Sequence, residues 1–376
     1  MLVYYTKINI TNSIYTKGFS MTKSVNVWSE FQPLKKVMLG APFPPETFNW
    51  HKDEETRSVM RQIFEETAED IAELEVILNN LGVEVVRPKN IFTITGNEQI
   101  RLPWMNCGYP NHPLMPRDTL MPYGNTIFEL YTGSDNRYFE NLAYYDHCSK
   151  WFREGADWVS MPGVMVDTGL KYDQAVADNK VLYHAANMIK CGRHVLFSQP
   201  YEGDNKSGKG TELGRDWIRR EIKLRYPDTK FLDIPVGGHI DGKVALLKPG
   251  VLMTWNSAWV PEEMKNWTVI EVEDKDFMPE EFLNTRKRRF HKEYVSQWLS
   301  HWVGYPDESV FDVNVLSIDE STVICTGIND AAFAQMEAHG ITPIYWNFRH
   351  QYFWDGGIHC LTSDIVRNGD CEDYIT

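Results

Sequence analysis

"NVLSIDESTVICTG" (314–327), "NDAAFAQMEAH" (329–339) and "GITPIYWNF" (340–348) follow one another in the chain and decide its fold. Two short β-type runs flank a polar turn. Apolar residues at spacings of three and four come next, and an extended apolar run closes the stretch. The order is hairpin, helix, strand. It recurs upstream: "DTLMPYGNTIFEL" (118–130), "MIKCGRHVLFSQ" (188–199) and "KVALLKPGVLMTW" (243–255) each hold two apolar runs around a glycine-bearing turn. "PLKKVMLG" (33–40) supplies one more run, and residues 60–80 and 212–225 carry helical spacing before "GVEVVRP" and "KFLDIPV". About five such units, poorly matched in sequence, point to an α/β repeat whose units bury their apolar faces around a shared centre.

Composition narrows the partners. Thirty-eight Lys and Arg stand against fifty-two Asp and Glu, a formal charge of -14. Such a chain repels phosphate backbones and anionic lipid surfaces, so neither nucleic acid nor membrane is expected as a partner. The dense basic run Arg286 to Arg289 sits beside Glu280 and Glu281 and reads as a solvated helix face. No stretch reaches the roughly 18 to 20 apolar residues of a membrane span. Residues 1–24 read as a polar extension with no secretory core, Met21 being a candidate start of the folded part, and residues 25–376 as one domain. Six cysteines without CxxC spacing argue against a disulfide framework and a structural zinc site, and fit a reducing, cytoplasmic compartment.

Several residues can carry chemistry. In "GGHIDG" (237–242), His239 and Asp241 alternate at what looks like the start of a strand, which would place both on one face. An imidazole and a carboxylate together can move protons and hold a cation; a core histidine in a turn is the plainer alternative. "MPRD" (115–118) puts Asp118 before a strand, as a turn residue or as a second carboxylate suited to a guanidinium fork. In "DGGIHC" (355–360), two glycines allow a close backbone approach or a left-handed turn at Cys360. That thiol is a nucleophile only beside a group that favours the thiolate, and is otherwise structural. "GDNKSGK" (203–209) matches a phosphate-loop spacing but is followed by Gly210 where a hydroxyl is needed, so it reads as a polar loop. No zinc spacing joins His239, Asp241, His359 and Cys360, so no metal is expected.

"PLKKVMLG", "MPRD", "AANMIKCGR", "GGHIDG" and "GGIHC", in this order, resemble the amidinotransferases related to glycine amidinotransferase, a likeness running from about Asn26 to about Tyr374. Within the family the chain looks closest to the cyanobacterial branch of saxitoxin biosynthesis. The resemblance implies a pentein-type five-bladed α/β propeller with pseudo-fivefold ββαβ repeats, a homodimer, and a ping-pong reaction without cofactor. Arginine would donate its amidino group to Cys360, release ornithine, and pass the group to an amine. Cys360 matches the nucleophile, His239 the general acid and base, and Asp118 and Asp241 the carboxylates that hold the guanidinium.

Three positions depart from the family pattern. His184 stands where the family carries an aspartate that orients the histidine, so it is given a site position without a fixed role. Val236 and Gly238 are smaller than the Asn and Met of the glycine-using enzymes, which implies a bulkier acceptor, such as the arginine-derived amino ketone of saxitoxin biosynthesis. The arginine that binds the donor carboxylate would fall near Ala258, and none occurs between Asp241 and Arg286. Two other functions remain open at this level: a guanidine-modifying hydrolase on the same site, and a non-catalytic scaffold.

Overall fold

The computed structural model describes residues 23–91, 100–102, 105–108, 111–132, 137–163, 180–199, 210–272 and 312–375. The loop 203–209, the basic run 286–289 and nearly all of the 1–24 extension lie outside the described residues.

The unit that opened the sequence reading is present as read. Strands Leu316–Asp319 and Thr322–Cys325 pair antiparallel, helix Asp330–Ala338 follows, and strand Thr342–Tyr345 lies parallel to the hairpin's second strand. Asn329 starts that helix by accepting the Ala332 N–H at 3.1 Å. Two upstream units repeat the plan: Leu120–Tyr123, Thr126–Glu129, helix Tyr145–Arg153 and Asp157–Ser160, then Met188–Cys191, His194–Gln199, helix Glu212–Arg225 and Lys230–Gly237. In the next, Val244–Lys248, Val251–Thr254 and Thr268–Glu271 form the sheet, and two short 3-10 turns, Ser257–Trp259 and Glu262–Met264, replace the helix.

The fifth hairpin joins the two ends of the chain. Strand Leu34–Leu39 pairs antiparallel with Thr362–Arg367, and after the 27-residue helix Glu54–Asn80, strand Glu84–Val86 adds in parallel. No turn links the first two strands, so no local signal in the sequence could pair them. The helix also begins earlier than the apolar spacing at 60–80 suggests, because Asp53 caps it by accepting the Thr56 N–H at 2.8 Å. The result is a mixed α/β fold that holds, among the described residues, five three-stranded sheets and a two-stranded ribbon at Ile100–Leu102 and Met105–Gly108.

Each sheet adjoins the next, and the fifth returns to the first. Thr362–Arg367 contacts Leu120–Tyr123, which in turn meets the turn Ala185–Asn187; Val244–Lys248 meets Leu316–Asp319, and the latter meets Leu34–Leu39. Five apolar clusters fill the seams between neighbouring units. Met38, Leu120, Ile127, Trp151 and Ile365, for example, close the seam between the chain-end sheet and the next. Each fully buried Leu, Ile or Phe in these seams stabilises the assembly by roughly 1.5–3 kcal/mol relative to exposure. The segment 25–31 crosses three of the sheets: Val27 bridges to Gly124 and Ser29 to Cys191, while the Asn26 N–H reaches the Ile365 carbonyl at 3.0 Å. This carries Glu30 into the interior. Among the described residues, no helix is long and apolar enough to cross a membrane.

Candidate active site

Every unit turns into its first strand through a short irregular segment, and each of the five segments delivers a polar side chain to the same region. Asp118 precedes Leu120, His184 precedes Met188, His239 and Asp241 precede Val244, Asn314 precedes Leu316, and His359 and Cys360 precede Thr362. The repeat that builds the fold therefore also builds the site. His239 and Asp241 do not sit on a strand as their alternation suggested. They occupy a turn that follows Gly238, whose φ of 70° is left-handed, and the Lys243 ammonium closes that turn on the carbonyls of Gly237 and His239 at 3.0 and 2.9 Å. Their side chains consequently go to different partners.

Asp241 and Asn314 both reach the sulfur. The Cys360 thiol donates to Asp241 Oδ2 at 3.4 Å, and Asn314 Nδ2 donates to Cys360 Sγ at 3.1 Å. Asn314 Oδ1 also accepts the backbone N–H groups of His359 and Cys360 at 2.9 and 3.3 Å, so one amide fixes both the turn and the sulfur. Asp241 Oδ2 accepts from His359 Nδ1 at 2.9 Å, while its Oδ1 is buried with no hydrogen-bond partner among the described residues. Burial pushes the Asp241 carboxyl up, but His359, the Arg117 charge and the Cys360 thiol outweigh it and hold the group below the usual carboxylate range. Cys360 is 3 % exposed and lies in a turn. Close approach, not left-handed backbone, accounts for its two glycines: a Cβ on Gly357 would stand 2.7 Å from Asn314 Oδ1, and the residue with positive φ is Asp355, at 54°.

On the other side, His239 Nε2 lies 3.0 Å from His184 Nδ1 and 3.5 Å from Asp118 Oδ1. Asp118 Oδ2 is held at 2.6 Å by Arg137, whose guanidinium forms a second, two-bond pair with Glu140 at 2.7 and 3.1 Å. Burial lowers the Arg137 pKa, yet Glu140 and Asp118 more than offset that and keep it above the ordinary arginine value. The Asp118 and Cys360 segments are bonded to each other, since the Arg117 N–H donates to the Cys360 carbonyl at 3.4 Å and Arg117 Nε to the His359 and Thr362 carbonyls at 3.2 and 2.8 Å.

Beneath the thiol lies a buried charge network. Glu30 meets Lys190 at 3.2 Å, Arg117 at 3.6 Å and His359 Nε2 at 3.3 Å; Asp364 meets Arg117 at 3.0 Å, Arg367 at 3.0 Å and Lys190 at 3.6 Å. At the other buried thiols the nearby charges are acidic and disfavour the thiolate: Glu129 at Cys148, Glu30 and Asp373 at Cys191, and Asp312 at Cys325. Burial pushes Cys325 up to about 12 and Cys148 and Cys191 further still, which leaves them inert. Cys148, Cys191, Cys325, Cys360 and Cys371 are all free.

No family model matches the chain. Curated relatives do: it is 27 % identical to an L-arginine:L-lysine amidinotransferase of Pseudomonas savastanoi pv. phaseolicola over 95 % of this chain and 98 % of that one, and 24 % identical to inosamine-phosphate amidinotransferase 1 of Streptomyces glaucescens over 83 % and 84 %. The chain is related to the amidinotransferases. Two solved amidinotransferases share the fold at 22 % identity: the inosamine-phosphate enzyme of Streptomyces griseus, with a TM-score of 0.70 over 94 % of this chain and 99 % of that one, and SxtG of Microseira wollei, from the saxitoxin biosynthetic pathway, with 0.69 over 93 % and 99 %. A dimethylarginine dimethylaminohydrolase from Pseudomonas aeruginosa is a more distant fold match, with a TM-score of 0.55 at 10 % identity over 89 % of this chain and 100 % of that one.

In this amidinotransferase relative, the residues singled out from sequence divide into two groups. Cys360 and Asp241 share contacts, as do Asp118, His184 and His239. Val236 packs in the apolar cluster of Ile189, Ile234, Ile240 and Val244, and Gly238 is required by its left-handed backbone, so both positions have a structural reason for their size. Ala258 is exposed in a 3-10 turn. Sequence reading missed Asn314, Glu30, Arg117 and Arg137, and weighed His359 only as a metal ligand. Asn314 stands just before a hairpin, as Arg117, Asp118 and Asp241 do, but that position by itself does not single out an amide.

Proposed function

We propose that this chain is an amidinotransferase that takes the amidino group of L-arginine onto Cys360, releases ornithine, and delivers the group to an amine larger than glycine. The supporting observation is the sulfur's setting: Cys360 touches both the Asn314 amide and the Asp241 carboxylate, with the His239 turn attached to the latter by sequence. The unpartnered Asp241 Oδ1 offers a buried acceptor to a guanidinium N–H.

In the first half-reaction Cys360 gives its proton to His239 and bonds as the thiolate to the central guanidinium carbon, the bond from that carbon to the ornithine nitrogen breaks, and His239 passes the proton to the leaving nitrogen. In the second, an incoming amine gives a proton to His239 and attacks the same carbon, and the thiolate leaves. His184 lies where relatives are expected to have an acid; Asp118, at 3.5 Å from His239 Nε2, supplies the nearby negative charge instead. With one oxygen already on Arg137, Asp118 is assigned a positioning role for His239 in addition to contact with substrate. The proposed setting is a pentein-type propeller domain spanning 25–376 after a polar extension at 1–24, assembled as a cytoplasmic homodimer and using no cofactor.

The acceptor assigned here is the arginine-derived amino ketone of saxitoxin biosynthesis, on the strength of the family likeness. Incubation with arginine alone should add one amidino group to the Cys360 peptide and release ornithine. A screen of amines should then discharge it, with an amino ketone carrying its own guanidino group turning over faster than glycine. Citrulline or ammonia formation at full rate without an amine would instead assign a hydrolase, and ornithine formation by Cys360→Ala at the native rate would remove the mechanism altogether.

A further inference from the structure

We propose that Asp118, His184 and His239 form a binding site for a divalent transition metal of the zinc class, beside the thiol and independent of it. One ligand atom from each residue lies within 4.8 Å of the other two, and all three residues are buried. Two separations are already close to those of a metal centre: 3.0 Å between His184 Nδ1 and His239 Nε2, and 3.5 Å between His239 Nε2 and Asp118 Oδ1. Two ligands bound tetrahedrally at the usual Zn–N and Zn–O lengths stand roughly 3.3–3.5 Å apart, so closing a pair at the 4.8 Å limit asks for a shift of at most about 1.5 Å.

The ligand chemistry fits the same class of ion. Two imidazole nitrogens and one carboxylate oxygen, with a fourth position left open, suit zinc, cobalt or iron(II) and are poor for calcium or magnesium, which prefer oxygen throughout. Asp118 is pre-oriented for the task, since Arg137 holds its other oxygen at 2.6 Å. His184 is the residue that makes the set. An aspartate at that position would leave one imidazole between two carboxylates, a weaker site for a borderline metal.

Binding needs both ligating nitrogens free of protons, so the metal displaces whichever proton now joins the two rings and is itself expelled by acid. Occupancy also takes the His239 lone pair. Loss of amidino transfer on metal binding follows from the role proposed for His239 and rests on it, whereas the binding itself does not.

Equilibrium dialysis of chelator-treated full-length protein against zinc chloride should give about one ion per chain. Cys360→Ser should bind equally well, and His184→Ala should lose at least tenfold in affinity, the usual scale for a metal-site ligand or its support. The native protein titrated with cobalt(II) should show visible ligand-field bands without the intense near-ultraviolet band of a thiolate ligand, a readout that needs no variant to fold. Failure to bind stoichiometrically, a strong thiolate band, or unchanged affinity in His184→Ala would overturn the site. If transfer activity has been established, zinc that binds stoichiometrically yet leaves it intact would overturn the placement on His239.

Discussion

A buried thiol becomes a nucleophile only if its anion is better solvated by the protein than the thiol is, and at Cys360 a donor suited to this among the described residues is the Asn314 amide. Its Nδ2 donates to sulfur at 3.1 Å while its Oδ1 is pinned by two backbone N–H groups, so the donor is held in place before any charge appears. Asn314→Ala should therefore lower the rate of adduct formation by roughly 10- to 100-fold, the equivalent of ~1.5–3 kcal/mol for a hydrogen bond to a charged group. Peptide-level alkylation of Cys360 across a pH series should shift to higher pH in the same variant. An unshifted profile would make Asn314 a purely structural residue. The same atoms explain what the sequence could not disclose. Cys360, His239, Asp118 and Asp241 have side chains whose chemistry invites attention, while Asn314 has an ordinary amide whose role arises only from where the neighbouring unit places Cys360. The expectation that His239 and Asp241 face one way failed because alternation holds on a strand, and Gly238 turns the chain before the strand begins.

Among the elements, three of the hairpins were legible because their turns carry glycines that the backbone requires. Gly124, Gly192 and Gly250 have φ of 58°, 63° and 79°. They are not equally exposed to substitution. A Cβ on Gly124 would stand 2.5 Å from the Tyr226 ring, whose hydroxyl ties the turn at Asn125 and Thr126 to the next unit at 2.8 Å each, whereas Gly250 has nothing within 4 Å. Gly250→Ala should then cost only the left-handed backbone term, about 1–2 kcal/mol, and Gly124→Ala that term plus displacement of Tyr226, roughly 1–3 kcal/mol more. Urea unfolding of the two variants side by side tests the difference, and equal midpoints would mean the Tyr226 contact contributes nothing. The chain-end hairpin had no such signal. Leu34–Leu39 and Thr362–Arg367 are far apart in sequence, and their pairing is dictated by closing the set of five sheets.

Closing the chain-end sheet brings Asp364 and Arg367, from the last strand, against Glu30, Arg117 and Lys190, and this makes the stability of the whole molecule depend on pH in a defined direction. Burial, the largest single influence, pushes Glu30 and Asp364 up, but the surrounding cations and His359 outweigh it and leave both well below the usual carboxylate range. An acid whose pKa is lower in the folded state stabilises that state fully above its unfolded pKa of about 4 and loses this contribution as pH falls through the folded value. The cations do not reverse the sign in acid. Arg117 is raised and Lys190 lowered, and both titrate on the alkaline side. The contribution of this network to unfolding free energy should thus stay level from about pH 5 to 8 and decline below about pH 4. Glu30→Gln should leave Lys190 and Arg117 short of a counter-charge and cost roughly 3–5 kcal/mol at neutral pH, while making the acid decline shallower by one carboxylate. Urea unfolding curves for both proteins across that range decide the matter: parallel declines would show that Glu30 titrates alike in the folded and unfolded chain, and that the cations surrounding it do not hold its charge.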